Sequence, residues 1–224
     1  MNLTSTPSSR PQQLPSFDIS GRKIAYFSME IALAKALPTY SGGLGMLAGD
    51  TLRSAADTGV PLVAISLVHR RGYFEQHLDS HGQQTESDVV WSPETTLPSA
   101  NQTITITLHG RELTLSAWRF DVVGHTGHII PVFLLDADVE GNDPWDRRLT
   151  DHLYGGDTYY RLCQEAILGL GGIHLLHALG MQPEVCHMNE GHAALLSIGL
   201  LEARVAPSPL STATDADAEA VKQQ

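Results

Sequence analysis

Three short stretches of this 224-residue chain combine residue types that can do chemistry. The first is TYSGGLGMLAGD, from Thr39 to Asp50, which sets Gly42, Gly43 and Gly45 within four residues. Glycines leave backbone N–H groups unobstructed, and a turn of this kind opening into a helix can hold an anion. The spacing is not G-x-G-x-x-G and no Lys-Ser pair trails it, so neither nucleotide fingerprint applies. A tight turn packed against a sheet is the competing reading. The second stretch is HMNEGH, residues 187–192. Asn189, Glu190 and His192 can hydrogen-bond sugar hydroxyls or orient one another, although Asn189 also suits a plain turn. His187 and His192 lack a third ligand and the H-E-x-x-H spacing, so no metal is expected. The third is WDRRLTDHLYGGD, residues 145–157, polar and aromatic with a Gly-Gly end. Through Asp151, His152 and Tyr154 it can serve as a mobile gate, or it can be a surface loop. His174 and His177 share a helical side and read as ordinary helix histidines.

These stretches need a scaffold, and the hydrophobic pattern predicts one. Residues 23–29, KIAYFSM, form an apolar run expected as a first strand. Residues 46–59 come next, with Leu47, Leu52, Ala55 and Ala56 near one helical face and Gly59 as a stop. Residues 60–68, VPLVAISLV, are apolar without alternation, as in a parallel strand covered on both faces. Strand, glycine turn, helix and strand make a βαβ unit. Residues 102–120 alternate at period two around His109-Gly110, which predicts a hairpin with one wet face. Residues 128–138 return to a continuous apolar run. A long helix is expected over 157–179, with Gly169, Gly171 and Gly172 allowing close packing. A strand over 183–190 and a helix over 191–204 complete an α/β, Rossmann-like unit. Residues 1–20 and 205–224 are rich in small polar residues and proline, and read as a flexible leader and a disordered tail.

Composition narrows the function classes. A formal net charge of −11 argues against a nucleic-acid binder, which needs clustered Lys and Arg. Cys163 and Cys186 are too few for a disulfide framework and read as buried free thiols. No apolar run is long enough to span a bilayer, and the first residues lack an apolar signal region, so a cytoplasmic protein without membrane contact is expected. Lysine is scarce: Lys23, Lys35 and Lys222 are the full set.

Taken together, IAYFSMEIAL, LPTYSGGLGMLAGDTLRSAADTGVPLVAISLVHRRGYFEQ, LTDHLYGGDTYYRLCQEAILGLGG and HMNEGHAAL resemble the N-terminal half of the α-glucan (glycogen and maltodextrin) phosphorylases. The short bacterial and archaeal branch is the nearest in pattern. The resemblance runs in order across most of residues 23–204 and leaves both tails out. It implies the N-terminal Rossmann-like domain of a two-domain GT-B glycosyltransferase, with a β-hairpin insertion. It implies phosphorolysis of terminal α-1,4-linked glucose to α-glucose 1-phosphate in glycogen or maltodextrin breakdown. By the same likeness, Gly42, Gly43, Leu44 and Gly45 lie against the substrate phosphate and glucose. Asn189, Glu190 and His192 belong to the catalytic turn, with His192 on the glucosyl unit, and Asp151, His152 and Tyr154 to the gate. The similar glycogen synthases carry Lys-Thr before the glycines. Tyr40-Ser41 stands here instead, which weakens a nucleotide-sugar reading.

The family also uses pyridoxal 5′-phosphate, anchored on a lysine of its C-terminal domain. Nothing after Arg204 resembles that domain, and none of the three lysines stands in a recognisable cofactor context. The expected partners are therefore an α-1,4-glucan, inorganic phosphate and a missing C-terminal phosphorylase domain, with homo-oligomers possible. The alternative is a catalytically dead glucan-binding half-domain or truncated relic.

Overall fold

A computed structural model of the protein describes residues 21–89 and 91–205. The expected leader and the tail beyond residue 205 lie outside the described residues. The strands β1 (Ile24–Phe27), β2 (Leu62–Leu67) and β3 (Glu75–Leu78) come first, with helix α1 (Gly43–Thr58) between β1 and β2. There follow β4 (Gln84–Ser87), the single-turn α2 (Pro93–Thr96), β5 (Ser99–Leu108), β6 (Arg111–Val123) and β7 (Ile129–Asp136). Helix α3 (Thr158–Ala166) passes through a π-helical turn (Ile167–Gly171) into α4 (Gly172–Ala178). Strand β8 (Val185–Met188) and helix α5 (Leu196–Val205) end the described chain.

Six strands form one sheet in the order β5-β6-β7-β2-β1-β8. The four at the β8 side are mutually parallel, and β6 and β5 extend them antiparallel. The parallel strands β2 and β7 are almost wholly apolar, with Ser66 and Asp136 as the exceptions, because helices cover both faces. Alternate residues serve opposite cores. Val63, Ile65 and Leu67 join Phe27, Ile167 and Leu196, while Leu62, Ala64 and Val68 join Leu52 and Ala56 of α1. The chain steps one way from β1 through α1 to β2, and the other way from β7 through α3 and α4 to β8. The connection leaving β1 and the one arriving at β8 thus run in opposite directions along the sheet, and the carboxyl ends of this neighbouring pair stand at the reversal, where such sheets bind ligands.

Some boundaries differ from the sequence expectation. Helix α1 begins at Gly43, so two of the loop glycines belong to its first turn. Its end is a left-handed Gly59 at φ 72°, whose N–H bonds back to the Ala55 and Ala56 carbonyls. The glycine waist of the long helix packs as its composition suggests. A β-carbon on Gly169 would come 2.4 Å from the Leu196 nitrogen, and one on Gly172 would come 2.5 Å from Phe27. The small β3–β4 ribbon is exposed at every residue and, apart from Leu78, is built of polar side chains that carry no burial pattern.

Candidate functional site

The loops leaving the carboxyl ends of the strands build the crevice. Directly after β1 come Ser28, Met29 and Glu30, all buried. The Ser28 hydroxyl donates to the Glu30 carbonyl at 2.7 Å and accepts from the Asn189 side chain at 3.0 Å. The Asn189 N–H also donates to the Phe27 carbonyl at 2.9 Å. Asn189, predicted from sequence, is thereby locked across the β1–β8 pair. The next residue, Glu190, is exposed and holds φ 62° with ψ 179°. That region is populated almost only by glycine, so the turn stores strain of about 1–3 kcal/mol, as is common at functional sites. His192 sits in the adjoining single 3-10 turn, Gly191–Ala193. Its Nδ1 is buried without a hydrogen-bond partner, and its ring lies 5.3 Å from that of Tyr154.

Glu30 was not singled out in the sequence, yet it ties the site together. Its Oε2 accepts from the Ser41 N–H at 2.7 Å and from the Gly42 N–H at 3.3 Å. Its Oε1 accepts from the Tyr154 hydroxyl at 2.8 Å. Burial and this carboxylate together push the Tyr154 phenol well above its ordinary range. The first two amides of the glycine loop are thus taken by a carboxylate of the protein itself. What stays open is the start of α1. Gly42 is its N-cap with no side-chain cap, and no acidic residue occupies the first turn. An uncapped helix start leaves N–H groups of Gly43, Leu44 and Gly45 without intrahelical partners. A β-carbon on Gly42 or Gly43 would meet nothing within 4 Å, so the loop is bare on its outer side. Gly45 differs: a β-carbon there would fall 2.5 Å from Tyr40 Cβ and 2.8 Å from Glu30 Oε2. Its glycine lets the helix start close over Glu30.

The segment with Asp151, His152 and Tyr154 runs along the same edge. Asp151 is buried, and burial raises its carboxyl above the usual range against the pull of Arg71, His152 and Arg148. The Arg71 N–H donates to the Asp151 carbonyl at 2.7 Å, and His152 bridges Gly72. Gln164 donates to the carbonyls of Leu149 and His152 at 2.9 Å each. Residues 149–153 are therefore fastened. Tyr154, at φ 57°, and Gly156, at φ 67°, carry the turn into α3. Asp157 then caps α3 by accepting from the Tyr160 N–H at 2.9 Å.

His69 is a second residue the sequence did not mark. It lies just past β2 with φ 46° and is fully buried. Its Nε2 bonds the Met29 carbonyl at 2.8 Å, which fixes the proton on Nε2 because a carbonyl only accepts. Its Nδ1 has no partner, and burial lowers its pKa to about 4. Of the five non-glycine residues with positive φ among the described residues, His69, Tyr154 and Glu190 all gather at this edge of the sheet.

The other candidates lie elsewhere. His187 stacks on Tyr26, with ring centroids 4.8 Å apart, and His174 faces the Thr105 carbonyl. Among the described residues no group of three His, Cys, Asp or Glu side chains could hold a metal ion. Burial pushes both free thiols, Cys163 and Cys186, up to about 11. No helix of the described residues is long and apolar enough to cross a membrane. Lys23 sits at the opposite end of β1, ion-paired with Glu184 in solvent, and Lys35 is exposed ahead of the glycine loop. Neither offers an amine inside the crevice, so the described residues do not fit the anchoring of pyridoxal phosphate.

Comparison with known proteins shows which family the chain resembles. No family model matches the chain. It is 44% identical over 188 residues to a glycogen phosphorylase of Mycobacterium tuberculosis, covering 78% of this chain and 21% of the relative. It is 40% identical over 178 residues to a maltodextrin phosphorylase of Thermococcus litoralis, covering 76% of this chain and 21% of the relative. A glycogen phosphorylase of Aquifex aeolicus is 31% identical over 186 residues, with 80% and 26% covered. The chain thus spans between a fifth and about a quarter of the length of these relatives. Over some three quarters of its own length, this chain is a homologue of the glycogen and maltodextrin phosphorylases.

Proposed function

We propose that this chain supplies one wall of an α-glucan phosphorylase site, the N-terminal, Rossmann-like half of a GT-B enzyme. The reaction is phosphorolysis of a terminal α-1,4-linked glucose to α-glucose 1-phosphate. The observation that carries the reading is the meeting of a bare glycine-rich helix start with the Asn189–His192 turn across β1 and β8, joined through Glu30 and Tyr154. In the reaction, a C1–O bond to phosphate forms as the C1–O4 bond breaks with retention, and the proton lost by the hydrogen phosphate ends on the departing O4. Open N–H groups at Gly43, Leu44 and Gly45 suit the phosphate and the adjacent glucose, where preorganised dipoles act on developing charge at no reorganisation cost. Glu30 keeps those amides in place by holding the two before them. Asn189 fixes the strained turn that presents Glu190 and His192 toward the glucosyl unit. Because residues 149–153 are fastened, gating belongs to Tyr154, Gly155 and Gly156, with the Tyr154–Glu30 hydrogen bond as the closed position.

Pyridoxal phosphate has no anchor among the described residues, so no residue of this chain is assigned to it. Cofactor, basic phosphate ligands and the opposite wall fall to a partner C-terminal domain. A glucan-binding half without catalysis is the second reading, favoured by that same lack of an amine in the crevice. The deciding experiment is release of glucose 1-phosphate from maltodextrin and phosphate, with pyridoxal phosphate present. It is run on the chain alone and with a separately expressed phosphorylase C-terminal domain. Activity is expected only in the mixture, and lost when Gly43→Val crowds the bare amides while the fold survives. Silence in both arms with a folded chain selects the second reading. Activity of the chain alone overturns the missing anchor.

A further inference from the structure

The six-stranded sheet has two edges, and they are built differently. At one edge, β5 breaks register between Ser99 and Thr103, holds Asn101 at φ 53° and carries exposed Thr103, Thr105 and Thr107. A break of this kind disrupts the ladder and blunts an edge against pairing with another chain. At the other edge among the described residues, β8 has no such device. Its register on β1 is unbroken from Val185 to Met188, and those four residues include no lysine and no proline. The Val185 N–H donates to the Lys23 carbonyl at 3.1 Å, and the Asn189 N–H to the Phe27 carbonyl at 2.9 Å. Alternate residues of a parallel strand turn their backbone groups to opposite sides, so those of Cys186 and Met188 face the open edge. Val185 and Met188 point to opposite faces of the sheet and are 47% and 45% exposed. A parallel strand is ordinarily covered on both faces.

What fits beside β8 follows from the hand of the crossovers. Helix α1 packs on one face of the sheet and carries the chain from β1 to β2. Helices α3 and α4 pack on the other face and carry it the opposite way, from β7 to β8. Opposite faces with opposite directions make one hand, and nearly all such crossovers are right-handed. Leu196 and Leu200 of α5 join the core on the α3–α4 face. A crossover of the same hand through α5 therefore moves again in the β7-to-β8 direction. The strand it leads to falls beside β8, on the open edge. A strand buried on both faces is written as an apolar run of roughly four to eight residues. Residues 206–224 contain Pro207 and Pro209 and no apolar run of that length, so they do not encode it. The phosphorylase relatives are far longer, since this chain spans 21% of two of them.

Resting on the phosphorylase reading for the identity of the occupant, we infer that the open edge of β8 accepts a parallel apolar strand in trans. That strand comes from the part of a phosphorylase chain that this one does not span, and it docks the two pieces by continuing the sheet. The test co-expresses this chain with the remainder of the Mycobacterium tuberculosis glycogen phosphorylase, beyond the region the two share. Amide hydrogen exchange in the complex is compared with that of the chain alone. Cys186 and Met188 should exchange at least about tenfold more slowly in the complex. Val185→Lys and Met188→Lys should each weaken the complex about tenfold or more, because the strand would bury an unpaired ammonium. Both positions are exposed in the chain alone, so the variants fold. Thr107→Lys, on the β5 edge, should change nothing. A complex that releases glucose 1-phosphate while Cys186 and Met188 exchange as in the free chain overturns the edge and leaves the phosphorylase reading standing. Protection of both amides in a complex that releases none keeps the edge and sinks the phosphorylase reading. If the concentrated chain alone protects them and the remainder does not displace that contact, a second copy is the occupant and the inference falls. Recovery of no complex overturns it as well.

Discussion

His69 is held at φ 46° with its imidazole out of solvent, one nitrogen bonded to the Met29 carbonyl and the other unpartnered. Burial lowers its pKa from 6.5 to about 4, so the fold accepts only the neutral ring. Between those values the unfolded chain takes up a proton that the folded chain refuses. The stability from the neutral ring is fully present above about pH 6.5 and declines as pH falls toward 4, by roughly 3 kcal/mol. Thermal melts from pH 7 to pH 4 should show this loss, and His69→Asn should flatten it, because Asn tolerates positive φ and does not titrate. An equal slope in both proteins would place the titration elsewhere. At this scale the sequence disclosed only part of the site. Asn189 and His192 flank Glu190-Gly191 in a short polar stretch and invite attention, whereas Glu30 and His69 sit at the ends of apolar runs. Their chemistry comes from burial and from partners distant in sequence: Tyr154 for Glu30, Met29 for His69.

The long helix carries its own test. Its π-helical turn, Ile167–Gly171, presses Gly169 onto the backbone between α5 and the turn before it. Backbone cannot rotate away as a side chain can. Gly169→Ala should therefore cost about 3 kcal/mol, the upper end for overpacking. In a chain of this size that lowers the melting temperature by roughly 6–12 °C. An unchanged melting curve would mean the two helices can separate freely. The parallel strands were legible because double burial writes itself as an unbroken apolar run, as in residues 60–68 and 128–138. The start of α1 was not, since glycines signal a loop while the hydrogen bonds already make a helix from Gly43. The β3–β4 ribbon gave no signal because, Leu78 aside, its residues are polar on both faces.

On the scale of the whole molecule, the edges of the crevice carry unusual apolar exposure. Leu47 is 60% exposed and Met46 45% on the first turns of α1, and Met188 is 45% exposed on the edge strand β8. Large exposed apolar side chains clustered near a site mark surfaces that bind other protein. The purified chain should self-associate with concentration in sedimentation, and Leu47→Glu with Met188→Lys should return it to monomer. A sharp monomer at every concentration would sink this expectation. The sequence by itself determined the class of fold and the family. Periodicity and glycine placement are local properties, and four ordered blocks of residues suffice to identify a homologue. Only the tertiary structure decided which amides of the glycine loop remain open, because the carboxylate that fills the first two is brought there by the packing of the segment after β1 against α1. It likewise decided that the two predicted motifs come together, since β1 and β8 pair only after the chain has crossed the sheet one way from β1 and the other way from β7.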